Sequence, residues 1–317
     1  MKKIVVLGGG TGLSVLLRGL KQFPLDITAI VTVADDGSSS GRLREEFDIF
    51  AVGDLRNVLV SLSEVEPLIE DLLQYRFVTD SSLNNHPMGN LLLTALYNIT
   101  GNLTESLRSL SKIFNIKGTI LPFTEENPVL IAHTTDGKII EGESNITKAG
   151  KEIDYIEYKN EVKPTKEVIK AIDEADLIIF GIGSLYTSII PNLLSKEVVE
   201  SLKNSKAKKM YVCNIMSEHG ETDNYKVSDC IKKINSYVKE DLMDVVVVNN
   251  KKVPDDIKER YLGETAGQID IDYDVLNDMN VEIIEDELLY ISKKKKVRHD
   301  PYRTALAIFN YIVKELK

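Results

Sequence analysis

The strongest constraint on this chain lies within residues 1–33. Lys3–Leu7 is a short apolar run rich in β-branched residues and predicts a buried strand. Gly8-Gly9-Gly10-Thr11-Gly12 follows. Leu13, Leu16, Leu17 and Leu20 then fall at i, i+3, i+4 and i+7, which is one apolar helix face. Phe23-Pro24 stops that helix, and Ile27–Val33 predicts a second strand. A strand, a glycine-rich tip, a helix and a strand in this order form the first unit of a doubly wound sheet. The predicted fold is therefore α/β, a mostly parallel, Rossmann-like sheet.

Downstream, helical spacing returns at Leu55, Val58, Leu59 and Leu62, and at Leu92, Ala95, Leu96 and Ile99. The character changes over residues 116–160. Runs of β type occur at Gly118–Pro122, Val129–Thr135, Lys138–Glu143 and Ile153–Tyr158, with the hairpin signal Asp136-Gly137 between two of them. These predict a small antiparallel β excursion within one α/β domain spanning residues 1–317. Leu177–Phe180, Lys209–Cys213 and Val245–Val248 predict further central strands. Asp300-Pro301 supplies an N-cap and a proline at the first helical position. Behind it, Ala305, Ile308, Phe309, Ile312 and Val313 mark a final amphipathic helix. Residues 250–300 are the least legible stretch.

Composition excludes several function classes. With 317 residues, 43% of them hydrophobic, the chain can bury a sizeable core, and wholesale disorder is excluded. Lys and Arg number 39 against 49 Asp and Glu, a net charge of −10, which disfavours non-specific nucleic-acid binding. Cys213 and Cys230 form neither a disulfide framework nor a zinc pattern, so a cytoplasmic location is expected. The first apolar run stops at Gly8, short of a secretory segment. Asp176, two glycines and Pro191 interrupt the apolar stretch 175–194, so no membrane span is expected.

Four loops carry candidate chemistry. Gly8, Gly9, Gly10, Thr11 and Gly12 can turn sharply and let a phosphate approach the N–H groups of a helix start. The spacing fits neither a Walker A loop nor a clean G-x-G-x-x-G; the alternative is a tight structural turn. A helix terminus contributes roughly 0.3–2 kcal/mol to a bound anion, whereas a micromolar ligand needs about 8 kcal/mol, so other segments must contribute. The second loop, Ala34–Arg42, offers Asp35, Asp36 and Ser38 for ribose hydroxyls or a divalent ion, with Asp54 a further carboxylate; otherwise it is a solvated turn capping a helix. The third, Phe180–Ser188, offers Gly181, Gly183, Ser184 and Leu185. The fourth places Asn214 directly after a strand, with Gly220-Glu221-Thr222 beyond, and an Asn amide can read a base or a sugar. His86-Pro87-Met88-Gly89-Asn90 precedes a helix that Asn90 either caps or equips for binding. Lys293–Lys296 with Arg298 is a basic patch, either solvated or drawing phosphates inward. The histidines at 86, 133, 219 and 299 lack metal spacing, and His133 reads as structural.

Seven stretches together resemble the CofD-like family and, within it, the YvcK-type gluconeogenesis factors. They are GGGTGLSVLLRGL (8–20), ADDGSSSGRLR (34–44), VGDLRN (52–57), HPMGNLLLTAL (86–96), GIGSLYTSIIPNLL (181–194), VCNIMSEHGET (212–222) and RHDP (298–301). One branch of the family is a 2-phospho-L-lactate transferase, which moves a phospholactyl group from a guanosine diphosphate carrier to a deazaflavin alcohol with Mg²⁺. The other looks like a regulator tied to gluconeogenic growth, cell shape and peptidoglycan precursor supply, and to binding of UDP-sugars such as UDP-N-acetylglucosamine. The Asp-Asp-Gly-Ser-Ser-Ser loop and the Gly183–Tyr186 segment resemble the regulatory branch; Ser217-Glu218-His219 departs from its common Thr-Gln-Pro. Residue chemistry at these matching positions predicts phosphate contacts from Gly8–Gly12 and Gly181–Ser184. It predicts base or sugar contacts from Asn214, and ribose, metal or second-substrate contacts from Asp35 and Asp36. Asp36 is the catalytic candidate if the chain is a transferase; the regulatory branch supplies no catalytic residue.

The reading is thus a nucleotide-sugar-binding regulator, with a regulatory protein partner or a homo-oligomer as further expectations. A transferase and a dinucleotide-dependent oxidoreductase are the competing readings.

Overall fold

The computed structural model describes residues 1–64, 67–262 and 266–316. The chain opens with β1 (Lys2–Gly8), α1 (Gly10–Leu20) and β2 (Leu25–Val31), the predicted βαβ unit. Four helices follow at once, α2 (Ser38–Phe47), α3 (Gly53–Leu62), α4 (Pro67–Gln74) and α5 (Met88–Thr100), and then α6 (Leu103–Ile113). β3 (Thr119–Pro122) leads to β4 (Leu130–Thr134), β5 (Ile139–Glu141), α7 (Glu143–Ala149) and β6 (Ile153–Tyr158). The α/β alternation resumes with α8 (Lys166–Asp173), β7 (Leu177–Phe180), α9 (Lys196–Asn204), β8 (Lys208–Val212), α10 (Val227–Val238) and β9 (Val245–Asn249). The chain ends with α11 (Asp255–Leu262), α12 (Tyr273–Asp278), β10 (Glu282–Asp286), the pair β11 (Leu289–Ile291) and β12 (Val297–His299), and α13 (Pro301–Glu315).

Seven strands form the central sheet in the order β10-β9-β8-β7-β1-β2-β3, and all neighbours pair in parallel. The chain first builds outward from β1 to β2 and β3. It then returns to the other side of β1 and continues through β7, β8, β9 and β10. The order therefore reverses between β1 and β7, and ligand crevices in open α/β sheets form at such points.

Alternate residues of β1 enter different cores. Ile4 and Val6 face the layer that contains Leu13, Leu16 and Leu17 of α1; Val5 and Leu7 face the layer that contains Ile231 and Ile234 of α10. Both faces are covered, which is why the central strands read as continuous apolar runs without alternation. α13 packs along α1.

The antiparallel excursion is narrower than its sequence signal. β3, the first of its β-type runs, pairs with β2 in the central sheet. β5, β4 and β6 make a separate three-stranded antiparallel sheet. Gly137 sits in its hairpin with φ 80°. Glu143, read from sequence as the end of a strand, begins α7 instead.

Two helix faces also differ from the sequence reading. Ile99 is 78% exposed and Val313 is 61% exposed. α5 buries Gly89, Asn90, Leu93 and Thr94, a face of small and polar residues that apolar periodicity does not register. α13 buries Thr304, Ala305, Ile308, Tyr311 and Ile312, which leaves Val313 outside the packed stripe. The illegible stretch 250–300 supplies an edge strand: β10 has the sequence EIIED and buries none of it completely. An edge strand needs no continuous apolar run, so its signal is weak.

Asp300 caps α13 as its sequence position predicts. Its carboxylate accepts from the N–H groups of Tyr302 (2.9 Å) and Arg303 (3.0 Å). Asp300→Ala should lower stability by about 1 kcal/mol, read from the urea midpoint, with the far-ultraviolet spectrum unchanged.

Candidate functional site

The register of β1 against β7 brings two glycine loops together. Leu7 pairs with Phe180, and the N–H of Gly181 donates to the Leu7 carbonyl at 2.9 Å. The loops leaving these two strands are then neighbours. Gly12 shows how closely they meet: a Cβ at this position would lie 2.3 Å from the Ile182 carbonyl oxygen. Gly10 adopts φ 68°, a left-handed conformation that disfavours any other residue.

A cavity of about 300 Å³ opens at this junction. Gly9, Gly10, Thr11, Gly12, Gly183, Ser184 and Ser188 line it from the two glycine loops. Ile215, Met216, Ser217 and Glu218 from the segment after β8, Tyr261 of α11, and Val297, Arg298 and His299 of β12 add to the lining. α1 starts at Gly10 without a side-chain cap from Gly9. The Gly10 N–H donates to Asp54 Oδ2 at 2.6 Å. Thr11 and Gly12 line the cavity, and no described residue accepts from their N–H groups, which early helical positions leave without intrahelical partners.

The third loop is braced from β8. Asn214 Nδ2 donates to the Gly183 carbonyl at 2.8 Å, and Asn214 Oδ1 accepts from the Gly183 N–H at 3.3 Å. Asn214 lines the cavity, yet its amide is spent on holding this loop in place. Ser184 Oγ donates to the Glu221 carboxylate and accepts from the Thr187 N–H at 2.9 Å. Glu221 also accepts from the Tyr186 N–H at 3.3 Å.

The sequence-predicted residues therefore separate into groups. Gly9, Gly10, Thr11, Gly12, Gly183, Ser184, Asn214 and Arg298 line one cavity. Gly8 is a β1 residue whose carbonyl accepts from Thr32, Gly181 packs against Val6 and Leu13, and Leu185 is buried in the core. The β2 loop lies alongside rather than in the cavity wall. Asp35 Oδ1 accepts from the Gly37 N–H at 2.9 Å, and Asp36 Oδ1 from the Ser144 N–H at 2.8 Å. Ser38 is exposed at the start of α2. Asn90 is buried and donates to Ser39 Oγ at 3.1 Å, which in turn lies 2.8 Å from His86 Nδ1. Lys293–Lys296 are exposed, the solvated face that such a run most simply forms. His133 stacks on Tyr155 and pairs with Glu157, a structural role.

Sequence reasoning missed Glu143 and Glu218, and did not foresee that Asp54 holds the Gly10 N–H or that Glu221 holds Ser184. With Asp35 and Asp36 they surround the loops that would face an anion. Burial pushes the Asp54 carboxyl up to about 7, with Asp35 adding to the rise and the Gly10 N–H opposing it. Burial raises Glu143 well above the usual range, helped by Asp54, Asp35, Asp36 and Glu221. Burial likewise raises Glu221, against the opposing bonds from Ser184 and Tyr186. The signal for Asp54 was its position in the Val-Gly-Asp-Leu-Arg-Asn run; for Glu221 it was the Gly-Glu-Thr run. Among the described residues, no group of three or more His, Cys, Asp or Glu is arranged to hold a metal ion by itself.

A family profile described as 2-phospho-L-lactate transferase CofD matches residues 4–289. The chain belongs to the CofD family. It is 47% identical over 304 residues to the gluconeogenesis factor of Bacillus subtilis (strain 168), covering 96% of each chain. It is 45% identical over 308 residues to the gluconeogenesis factor of Halalkalibacterium halodurans, covering 97% of this chain and 95% of that one. A crystal structure of a Bacillus halodurans protein matches with a TM-score of 0.93 at 45% identity, over 97% of this chain and 99% of that one. Within the family the chain therefore stands with the YvcK-type gluconeogenesis factors.

Asp54 makes stability depend on pH. The folded chain holds this proton more tightly than the unfolded chain, whose carboxyl titrates near 3.8. The contribution is complete below that pH and is lost as pH rises through about 7. Asp54→Asn keeps an acceptor for Gly10, so it should lose less stability than the parent between pH 5 and pH 8, measured by urea unfolding at both values.

Proposed function

We propose that this chain is a nucleotide-sugar-binding regulator that takes a UDP-sugar such as UDP-N-acetylglucosamine. On this reading it works in the cytoplasm and links carbon metabolism to peptidoglycan precursor supply and cell shape. One observation carries the proposal: a single cavity is lined both by two glycine loops and by a mixed wall of Ile215, Met216, Tyr261 and Val297 with Ser217, Glu218, Arg298 and His299. The glycine loops suit a diphosphate and the mixed wall a nucleoside. Relatives named gluconeogenesis factor support the regulatory part. No helix among the described residues is long and apolar enough to cross a membrane.

Regulation needs two states. Ligand binding would favour one arrangement of the loops after β1, β7 and β8, and a protein partner or a second copy of the chain would read it. Asn214 couples two of these loops through Gly183, so it is a natural point of transmission. UDP-N-acetylglucosamine at one hundred times its dissociation constant should stabilise the purified chain by about 2.7 kcal/mol, read by thermal or urea unfolding. A shift with GDP and none with any UDP-sugar would reject the regulator reading.

A transferase is the second reading, favoured by the carboxylates beside the glycine loops. Asp35 and Asp36 each have one oxygen engaged by a backbone N–H. With the other oxygens they would hold Mg²⁺, which usually takes one or two carboxylates together with phosphate oxygens and water. Bound there, the ion would neutralise charge on the diphosphate. Turnover of a deazaflavin alcohol with a guanosine diphosphate carrier and Mg²⁺, lost in Asp36→Asn, would establish this activity. No turnover would leave the regulator reading standing.

A further inference from the structure

The cavity lining carries one carboxyl that none of the roles above uses. Glu218 lines the wall beside Met216, Tyr261 and Arg298. Its main chain is fixed, because the Glu218 N–H donates to Thr222 Oγ1 at 2.9 Å and its carbonyl accepts from the N–H groups of Glu221 and Thr222. No described residue hydrogen-bonds its carboxyl, in contrast to Glu221 one turn away, which holds Ser184.

We propose that the Glu218 carboxyl is the specificity-determining group of this cavity and reads the imide edge of a uracil base. The inference rests on the nucleotide-sugar reading above and adds to it how the base is chosen. The two parts of the cavity lining differ chemically. The glycine loops offer amides to a diphosphate, so the base would meet the rest of the lining, which includes Met216 and Tyr261 and in which Glu218 is the carboxyl.

The protonation state decides which base that carboxyl accepts. A neutral carboxyl presents one donor and one acceptor side by side. That pair matches uracil, whose N3–H donates and whose O4 accepts. An ionised carboxylate presents two acceptors. It matches guanine, whose N1–H and N2–H both donate, and it repels the carbonyl oxygens of uracil. In a partly dry pocket each mismatch leaves a polar group without a partner.

The surroundings favour the neutral form. Burial pushes Glu218 up to about 7, Glu221 adds to the rise, and Arg298 opposes it. The other titratable groups of this wall are Tyr261, whose hydroxyl accepts from the Val297 N–H at 2.9 Å, and His299. Burial lowers His299 to about 4, so it stays neutral. His219, the next residue, is exposed and bonded to Asp223.

The test is calorimetric titration of the intact chain and its Glu218→Gln variant with UDP-N-acetylglucosamine and GDP-mannose between pH 6 and pH 8. Both probes are diphosphate diesters whose charge is constant in this range. Gln has the shape of the neutral acid and keeps one donor and one acceptor at every pH. The two proteins should bind the UDP-sugar equally near pH 6. Above pH 7 the parent should weaken relative to the variant, approaching tenfold per pH unit for a single proton. Taking the ratio cancels the titration of Asp54 and Glu143, which both proteins share; Glu221 repels the Glu218 carboxylate, so the ratio reports the Glu218–Glu221 pair as one titrating unit. Glu218→Ala, with unfolding curves to verify its fold, should lose at least tenfold in UDP-sugar affinity at pH 6. A ratio that stays constant from pH 6 to pH 8, or an Ala variant that binds as the parent does, would overturn the Glu218 assignment alone. If the parent binds GDP-mannose but no UDP-sugar, the UDP-sugar reading beneath it falls as well; if it binds neither probe, the nucleotide-sugar reading falls.

Discussion

The pairing of β1 with β7 is the interaction on which the rest depends. These strands are adjacent in space and far apart in sequence, and their register sets Leu7 opposite Phe180. Both loops at the carboxyl ends then start from the same level of the sheet. Gly12 lets the first turn of α1 meet the Ile182 carbonyl, and Asn214 reaches across from β8 to hold Gly183. A shift of one residue in this register would reverse the faces of β1 and separate the loops.

The second organising feature is charge. Loops suited to an anion lie among Asp35, Asp36, Asp54, Glu143 and Glu221. Burial and mutual repulsion raise several of these carboxyls toward neutrality. Asp54 even takes the Gly10 N–H that the start of α1 would otherwise offer. On the proposed reading a diphosphate would share this space, and protons or a divalent cation are the means by which such a site would reduce its negative charge. Acidity of this kind distinguishes the site from a simple phosphate cradle, which would gather Lys and Arg.

Much of this was legible in the residues. The N-terminal βαβ unit, the later central strands and the cap at Asp300 follow from apolar runs and turn chemistry that act over a few residues. Three of the loops proposed from glycines, hydroxyls and an amide meet at one cavity, through Gly9–Gly12, Gly183–Ser184 and Asn214. The part that was hidden has physical causes. β10 is a polar edge strand with no apolar run, and α5, legible as a helix, buries Asn90 and Thr94 in place of the face its apolar period marks. Glu143 begins a short helix directly after a hairpin strand, where β pattern and helix start overlap. Asn214 has the chemistry to read a ligand, but its neighbours use that amide to brace a loop.

The sequence by itself determined that a parallel sheet would form and that its strand tips would carry glycine and hydroxyl loops, because those preferences are local. It also determined the CofD family, through the order and spacing of its motifs. Tertiary structure alone decided which tips became neighbours, which carboxyls lost their water and which polar groups remained to face the cavity. Those outcomes depend on strand order, register and burial, which join residues far apart along the chain; no local pattern encodes the dielectric surroundings of Asp54 or Glu218.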